Sequence, residues 1–153
     1  QYTPNKGIQL LEISLQRAVD LYDFRMAIET YIVRKLSGCI LTKEQIESVE
    51  ANLDEQKVHM GRDDYESFTK ADLAFHLLLA HFHENLEMIH AIDRLQNQLY
   101  RIALNVMRKD RNRMRVSYED HVSVFEHIRN GDAAGAGETM MRHLEFGKQI
   151  LVM

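Results

Sequence analysis

Proline occurs once in this chain of 153 residues, at position 4. Proline breaks helices and interior strands because it removes a backbone donor and fixes φ. From Asn5 onward nothing of that kind interrupts the chain, and only seven glycines punctuate it. The apolar residues after Ser14 recur at three- and four-residue steps, the period of a helix that buries one face. Long helices with short connections are therefore expected, which is an all-α antiparallel bundle of six to seven helices.

The helices can be read in order from their stop and start signals. Ser14 is a suitable N-cap, and Leu21, Arg25, Ile28, Ile32 and Leu36 form a stripe that ends near Gly38. Thr42-Lys43-Glu44-Gln45 matches a capping box and opens a helix through Ile46, Val49 and Leu53 to about Met60, where Gly61 intervenes. The next helix runs from about Asp64 to His83, with Phe68, Asp72, Phe75, His76 and Leu79 on one face. Asn85 caps a further helix whose seam is Met88, Ile92, Leu95, Leu99, Ile102 and Val106. The basic stretch from Arg108 to Arg115 interrupts the pattern and reads as a solvated connection. Ser117 then precedes a helix carrying His121, Val124, Phe125 and Ile128, closed by Asn130-Gly131. Asp132 caps the last helix, with Ala136, Met140, His143, Leu144, Gly147 and Leu151 facing inward.

Residues 1–13 have a different character. Pro4, Asn5 and Gly7 signal a turn, and Ile8 to Ile13 reads as a short extended piece with no strand partner in the helical remainder.

Charge and motif content exclude several classes. The net charge is -4 with a pI of about 6.1, unlike a nucleic-acid or anionic-membrane surface. No apolar run reaches the length of a bilayer span, so no membrane partner is expected. Cys39 is the only cysteine, which fits a reducing cytoplasm and leaves no intrachain disulfide. Gly-rich phosphate loops, Cys-x-x-Cys pairs and Gly-x-Ser-x-Gly elbows are missing.

Four residues with metal-binding side chains stand where apolar ones are expected: Asp72, His76, His121 and His143. Asp72 and His76 lie one helical turn apart and can reach one ion. His121 and His143 occupy the inner stripes of two later helices. Buried polar groups need partners, and one divalent cation would serve all four. One oxygen and three imidazoles suit zinc foremost, with nickel, manganese or iron(II) also compatible, and disfavour calcium. His83 lies two turns beyond His76, about 10.5 Å along the axis, too far to share the ion. His81 and His127 fall off their inner stripes, and His59 and His90 show no ligand spacing.

Arg25 interrupts an apolar stripe. A guanidinium there needs a partner, either Glu29 one turn on or the carboxylate of a small organic acid gripped between the arginine and the metal. Arg101, on the seam helix, is a second candidate for effector binding.

These residues resemble a known family. Asp72-Leu73-Ala74-Phe75-His76 followed by Asn85 resembles the D-x-x-F-H…N segment of the FadR-type C-terminal effector domain, the FCD domain of GntR-family bacterial transcription regulators. The stretch from His121 through Asp132 to His143 resembles that domain's closing H…I-x-x-G-D…A…M-x-x-H segment. Leu21-Tyr22-Asp23-Phe24-Arg25 with Glu29 is similar to its opening helix. The resemblance spans roughly residues 14–150. It implies that Asp72, His76, His121 and His143 ligate the metal, that Arg25 meets an effector carboxylate, and that the domain, residues 14–153, forms a homodimer. It also implies that residues 1–13 are the wing remnant and linker of a winged-helix domain through which the regulator contacts DNA. The expected function is metal-dependent sensing of a small carboxylate, with operator binding modulated and no catalysis. Two rivals stay open: a helical-bundle metal-dependent hydrolase or transferase, and a dimerisation module without a ligand.

Overall fold

The computed structural model describes residues 12–153. Seven helices follow one another: α1 Leu15–Ser37, α2 Lys43–Gly61, α3 Tyr65–His83, α4 Leu86–Arg94, α5 Gln96–Lys109, α6 Arg113–Arg129 and α7 Ala133–Val152. The described residues contain no strand. Of the extended piece read over Ile8 to Ile13, all but the last two residues lie outside the described residues, as does nearly all of the wing expected over 1–13.

Local chemistry sets most of the helix starts. The hydroxyl of Ser14 accepts from the Arg17 amide at 3.1 Å. Thr42 and Gln45 form a reciprocal capping box, at 2.9 and 3.1 Å. Asp64, Asn85 and Asp132 cap α3, α4 and α7 by accepting from the amides of Ser67, Met88 and Gly135. Each such cap satisfies a donor that the first helical turn leaves free. Gly131, at φ +72°, makes the left-handed turn between α6 and α7 that a side chain would resist.

Two boundaries differ from the periodicity. The seam from Met88 to Val106 is carried by two helices, α4 and α5, that meet at Leu95. The Leu95 amide turns back to the Ile92 carbonyl at 3.0 Å, and the Gln96 side chain donates to the same oxygen at 3.3 Å. These bonds tighten the chain by a fraction of a turn. Ile92, Leu99, Ile102 and Val106 all stay buried across the break, so the apolar spacing carries no mark of it. The second difference concerns α6, which begins at Arg113, four residues before Ser117. The connection after α5 is only Asp110–Asn112, closed by Asp110 accepting from the Asn112 amide at 2.9 Å. Ser117 is fully buried inside α6, and Arg113 is 3% exposed rather than solvated.

The helices pack around one main apolar core drawn from all seven. α1 and α7 share the most extensive interface, with α6 against both and α3 against α1, α2 and α5. α1 and α7 come close at Gly147, where an added Cβ would lie 2.9 Å from Tyr22 Oη and 3.1–3.2 Å from its ring. Tyr22 is itself buried and has little room to yield. Gly147→Ala is expected to lower the unfolding free energy by about 1–3 kcal/mol through overpacking. Chemical denaturation measures this, and an unchanged midpoint would mean that the two helices part freely.

Candidate metal centre

Three helices supply the polar cluster. α3 supplies Asp72 and His76, α6 supplies His121 and α7 supplies His143. All four are buried, with exposures of 0–4%. One ligand atom from each lies within 4.8 Å of the other three. His121 Nε2 is 3.2 Å from His76 Nε2, 3.2 Å from His143 Nε2 and 3.3 Å from Asp72 Oδ1. A zinc ion bound at about 2.0–2.2 Å sets neighbouring ligand atoms roughly 3–3.5 Å apart. The cluster has that spacing around His121.

The opposite edge of each imidazole fixes which nitrogen carries the proton. His121 Nδ1 lies 2.8 Å from Gln56 Oε1. That oxygen can only accept, and the Gln56 amide is oriented by donating to Asn52 Oδ1 at 2.7 Å, while Asn52 donates to the Ala71 carbonyl. His76 Nδ1 pairs with the Glu29 carboxylate. His143 Nδ1 lies 3.2 Å from Asp120 Oδ2. His121 Nδ1 therefore donates to Gln56, the Nδ1 edges of His76 and His143 turn outward toward Glu29 and Asp120, with Arg113 Nη2 also 3.4 Å from His143 Nδ1, and the three Nε2 atoms turn toward one another and toward Asp72. Asp72 Oδ1 has no hydrogen-bond donor. Four acceptors facing a common point without a proton between them fit a cation, and outward-held Nδ1 protons are the usual second layer of histidine metal sites. Phe75 stacks on the His121 ring at 4.3 Å and 19°, fixing its plane.

The electrostatics agree with neutral imidazoles at His121 and His143. Burial pushes His121 well below the ordinary histidine range, and repulsion from His143, His76 and Arg113 lowers it further. Burial does the same to His143, with Arg113 next in effect. Burial raises Asp72 above the usual carboxylate value, against the pull of His76 and Arg25. Glu29 behaves oppositely: burial would raise it, but Arg25 and His76 outweigh that and hold it well below the carboxylate range.

Arg25 Nε donates to Glu29 Oε2 at 2.6 Å, both residues buried on α1. Glu29 thus links Arg25 to His76. Arg25 also lines a narrow cavity beside the cluster, together with Tyr22, Asp72, Val106, Arg113 and His143. As it stands the cavity has room for about one water, about 10 Å³. Arg101 lies elsewhere, in a groove with Ile13, Leu15, Asn105 and Lys109 at the end of the bundle. The other five histidines stay outside the cluster; His83 meets Tyr31 edge-on and His127 pairs with Asp132 at 2.9 Å.

Sequence reading missed four residues here. Gln56 and Asn52 sit on the inner face of α2 at i, i+4 spacing, a signal equivalent to that of Asp72 and His76. Asp120 adjoins His121 in sequence and reaches His143 across the helix interface. Arg113 was hidden by the basic run around it, although four-residue steps back from His121 through Ser117 lead to it.

A seven-helix bundle with a buried aspartate–histidine cluster at its centre defines the class of domain. The particular family follows from sequence: residues 20–146 match the FCD domain family. The chain belongs to that family, the effector-domain family of GntR-type regulators that its motifs resemble. Its fold is similar to that of Streptococcus agalactiae GntR, with a TM-score of 0.73 at 19% identity. That likeness covers 94% of this chain and 63% of the other, so this chain spans less than two-thirds of its structural relative. No curated protein is significantly similar to it in sequence. Among the described residues no helix is long and apolar enough to cross a membrane.

The two depressed imidazoles give a pH dependence to the metal-free protein. Folded His121 and His143 resist protonation, whereas in the unfolded chain they take up protons near pH 6.5. The unfolded state then binds more protons, and stability falls as pH drops below about 6.5 toward the folded pKa values. With chelator present, the urea midpoint is expected to be flat above about pH 7.5 and to decline steadily from about 6.5 to 5. A midpoint that rose over that interval would contradict the neutral assignment.

Proposed function

We propose that this domain is a metal-dependent sensor of a small organic acid within a DNA-binding transcription regulator. Asp72, His76, His121 and His143 hold one divalent cation, zinc foremost and nickel, manganese or iron(II) by the same chemistry. The observation that carries this reading is the convergence of three imidazole lone pairs on Asp72, whose Oδ1 has no donor. Glu29, Gln56 and Asp120 keep the three rings in register from behind. When bound, the cation supplies open coordination positions for an oxygen-bearing ligand.

Arg25 supports a carboxylate at the same place. Glu29 pairs with it and keeps it aimed along the cavity wall that Asp72 and His143 also line. A planar guanidinium beside an open metal suits a small carboxylate better than a neutral ligand. Arg101 lies away from that cavity, so the reading places the effector's carboxylate on Arg25 and gives Arg101 no share in it.

Membership of the FCD family supports a ligand-sensing regulatory role. On that reading the domain forms a homodimer, contacts DNA through a winged-helix domain N-terminal to it, and works in the cytoplasm. Effector binding shifts the helices that carry the ligands, and with them the spacing of two DNA-reading heads. Catalysis is not part of the reading. A hydrolase would need a free general base beside the metal, and the best-placed carboxylate, Glu29, is held between Arg25 and His76.

Metal analysis of protein purified without chelator is expected to give about one ion per chain, and His143→Ala to lose it. Calorimetry of the loaded protein against a panel of small carboxylates is expected to find a binder. Arg25→Lys, which keeps the charge near Glu29 but removes the planar fork, should weaken that binder roughly 10-fold or more. A protein that takes up no metal, or a binder indifferent to Arg25→Lys, would contradict the reading.

A further inference from the structure

The groove at the end of the bundle, where Arg101 lies, has no part in the metal centre. It holds about 540 Å³ between the start of α1, one face of α5 and the end of α7. Leu15, Val152 and Met153 line it, and they are three of the eight exposed large apolar side chains among the described residues. Scattered singly, such side chains need no explanation; gathered along one groove, they mark a surface that something covers. The polar side of the groove is a row on α5. Arg101, Asn105 and Lys109 stand at four-residue steps, so they share one face over about 12 Å. Lys109 Nζ donates to the Leu151 carbonyl at 3.2 Å and ties α5 to α7 across the groove.

The occupant follows from where the chain enters. Glu12 and Ile13 line the groove themselves, Ile13 packs on the main core, and Ser14 then caps α1. The four residues directly ahead of Glu12 are Ile8-Gln9-Leu10-Leu11, three of them apolar and none charged. They are tethered at the groove, so their effective concentration there exceeds that of a separate molecule. Four extended residues span about 13 Å, the length of the α5 row. Extended backbone needs partners for its carbonyls and amides, and the described residues contain no strand to supply them. The Asn105 side chain can both donate and accept, and the Lys109 ammonium has donors beyond the one given to Leu151.

We propose that residues 8–11 lie extended in this groove, covering Leu15 and Val152 and lending their backbone groups to Asn105 and Lys109. Arg101 then belongs to the seat of the chain that leads into α1. The seated segment touches the same three helices that line the central cavity with Arg25 on α1, Val106 on α5 and His143 on α7. The docking does not rest on the sensor reading, because no metal or effector takes part in it.

Hydrogen exchange of the full chain, read residue by residue by NMR, tests this at the amides of Gln9, Leu10 and Leu11. They are expected to exchange roughly 10-fold or more slowly than in a peptide of residues 1–13. Two variants remove the apolar wall while suiting the helix ends on which they stand. Leu15→Glu places an acid in the first turn of α1, and Val152→Lys a base in the last turn of α7, where neither helix has such a charge. Each is expected to return the three amides to near-peptide rates while protection within α3 and α6 stays unchanged, which shows that the bundle is intact. Peptide-like rates in the unaltered chain, or protection that survives both variants, would overturn the proposal. Protection that grows with protein concentration would overturn it too, by giving the groove to a second copy of the chain.

Discussion

The structure depends on four acceptors brought to one point in a desolvated interior. Three imidazole nitrogens and a carboxylate have nothing to donate to one another, and His121 Nε2 has three of these neighbours within 3.3 Å. Apolar burial elsewhere in the bundle is ordinary and could be met by many packings. The polar centre could not, because each ring is fixed from behind by a particular partner: Glu29 on α1, Gln56 on α2 and Asp120 on α6. Moving any one of those helices by a fraction of a turn would leave a buried lone pair or proton without its counterpart. The centre therefore ties the positions of α1, α2, α3, α6 and α7 to one another, which is what a domain needs if binding at one spot is to change its shape.

The balance of effects explains why such a costly arrangement is tolerable. Burial of unpaired polar groups is unfavourable by about 1–3 kcal/mol each, and several such atoms lie here: Asp72 Oδ1, Arg113 Nε and Arg113 Nη1. Natural domains accept that where a ligand supplies the missing partners, since binding then contributes to stability by mass action. The idle acceptors match a cation and the idle donors match an anion. Asp72 and Arg113 both line one cavity.

Much of this was legible in the sequence. The helix starts at Ser14, Thr42, Asn85 and Asp132 could be read because capping is local chemistry, complete within four residues. The cluster of Asp72, His76, His121 and His143 could be read because a polar residue on an apolar stripe is conspicuous. Its assembly across three helices was inferred from spacing and from the family resemblance. The break at Leu95 left no trace, since the bend preserves the apolar register on both sides. Arg113 was obscured for a different reason: its neighbours Arg111 and Arg115 are solvated, and composition averages over a single buried member of a basic run. Gln56 carried a local signal in its i, i+4 spacing from Asn52, but its tie to His121 spans 65 residues and that of Asp120 to His143 spans 23, so their partners could not be read from the chain.

The most direct test of the central claim is the X-ray absorption spectrum of the zinc-loaded protein at the metal edge. The account predicts a first shell of nitrogen and oxygen near 2.0–2.1 Å, with the outer-shell scattering of three imidazoles and no sulfur. A shell of water oxygens, or a signal from fewer than two imidazoles, would show that the ion is held elsewhere and that the buried cluster is a polar core with no metal to bind.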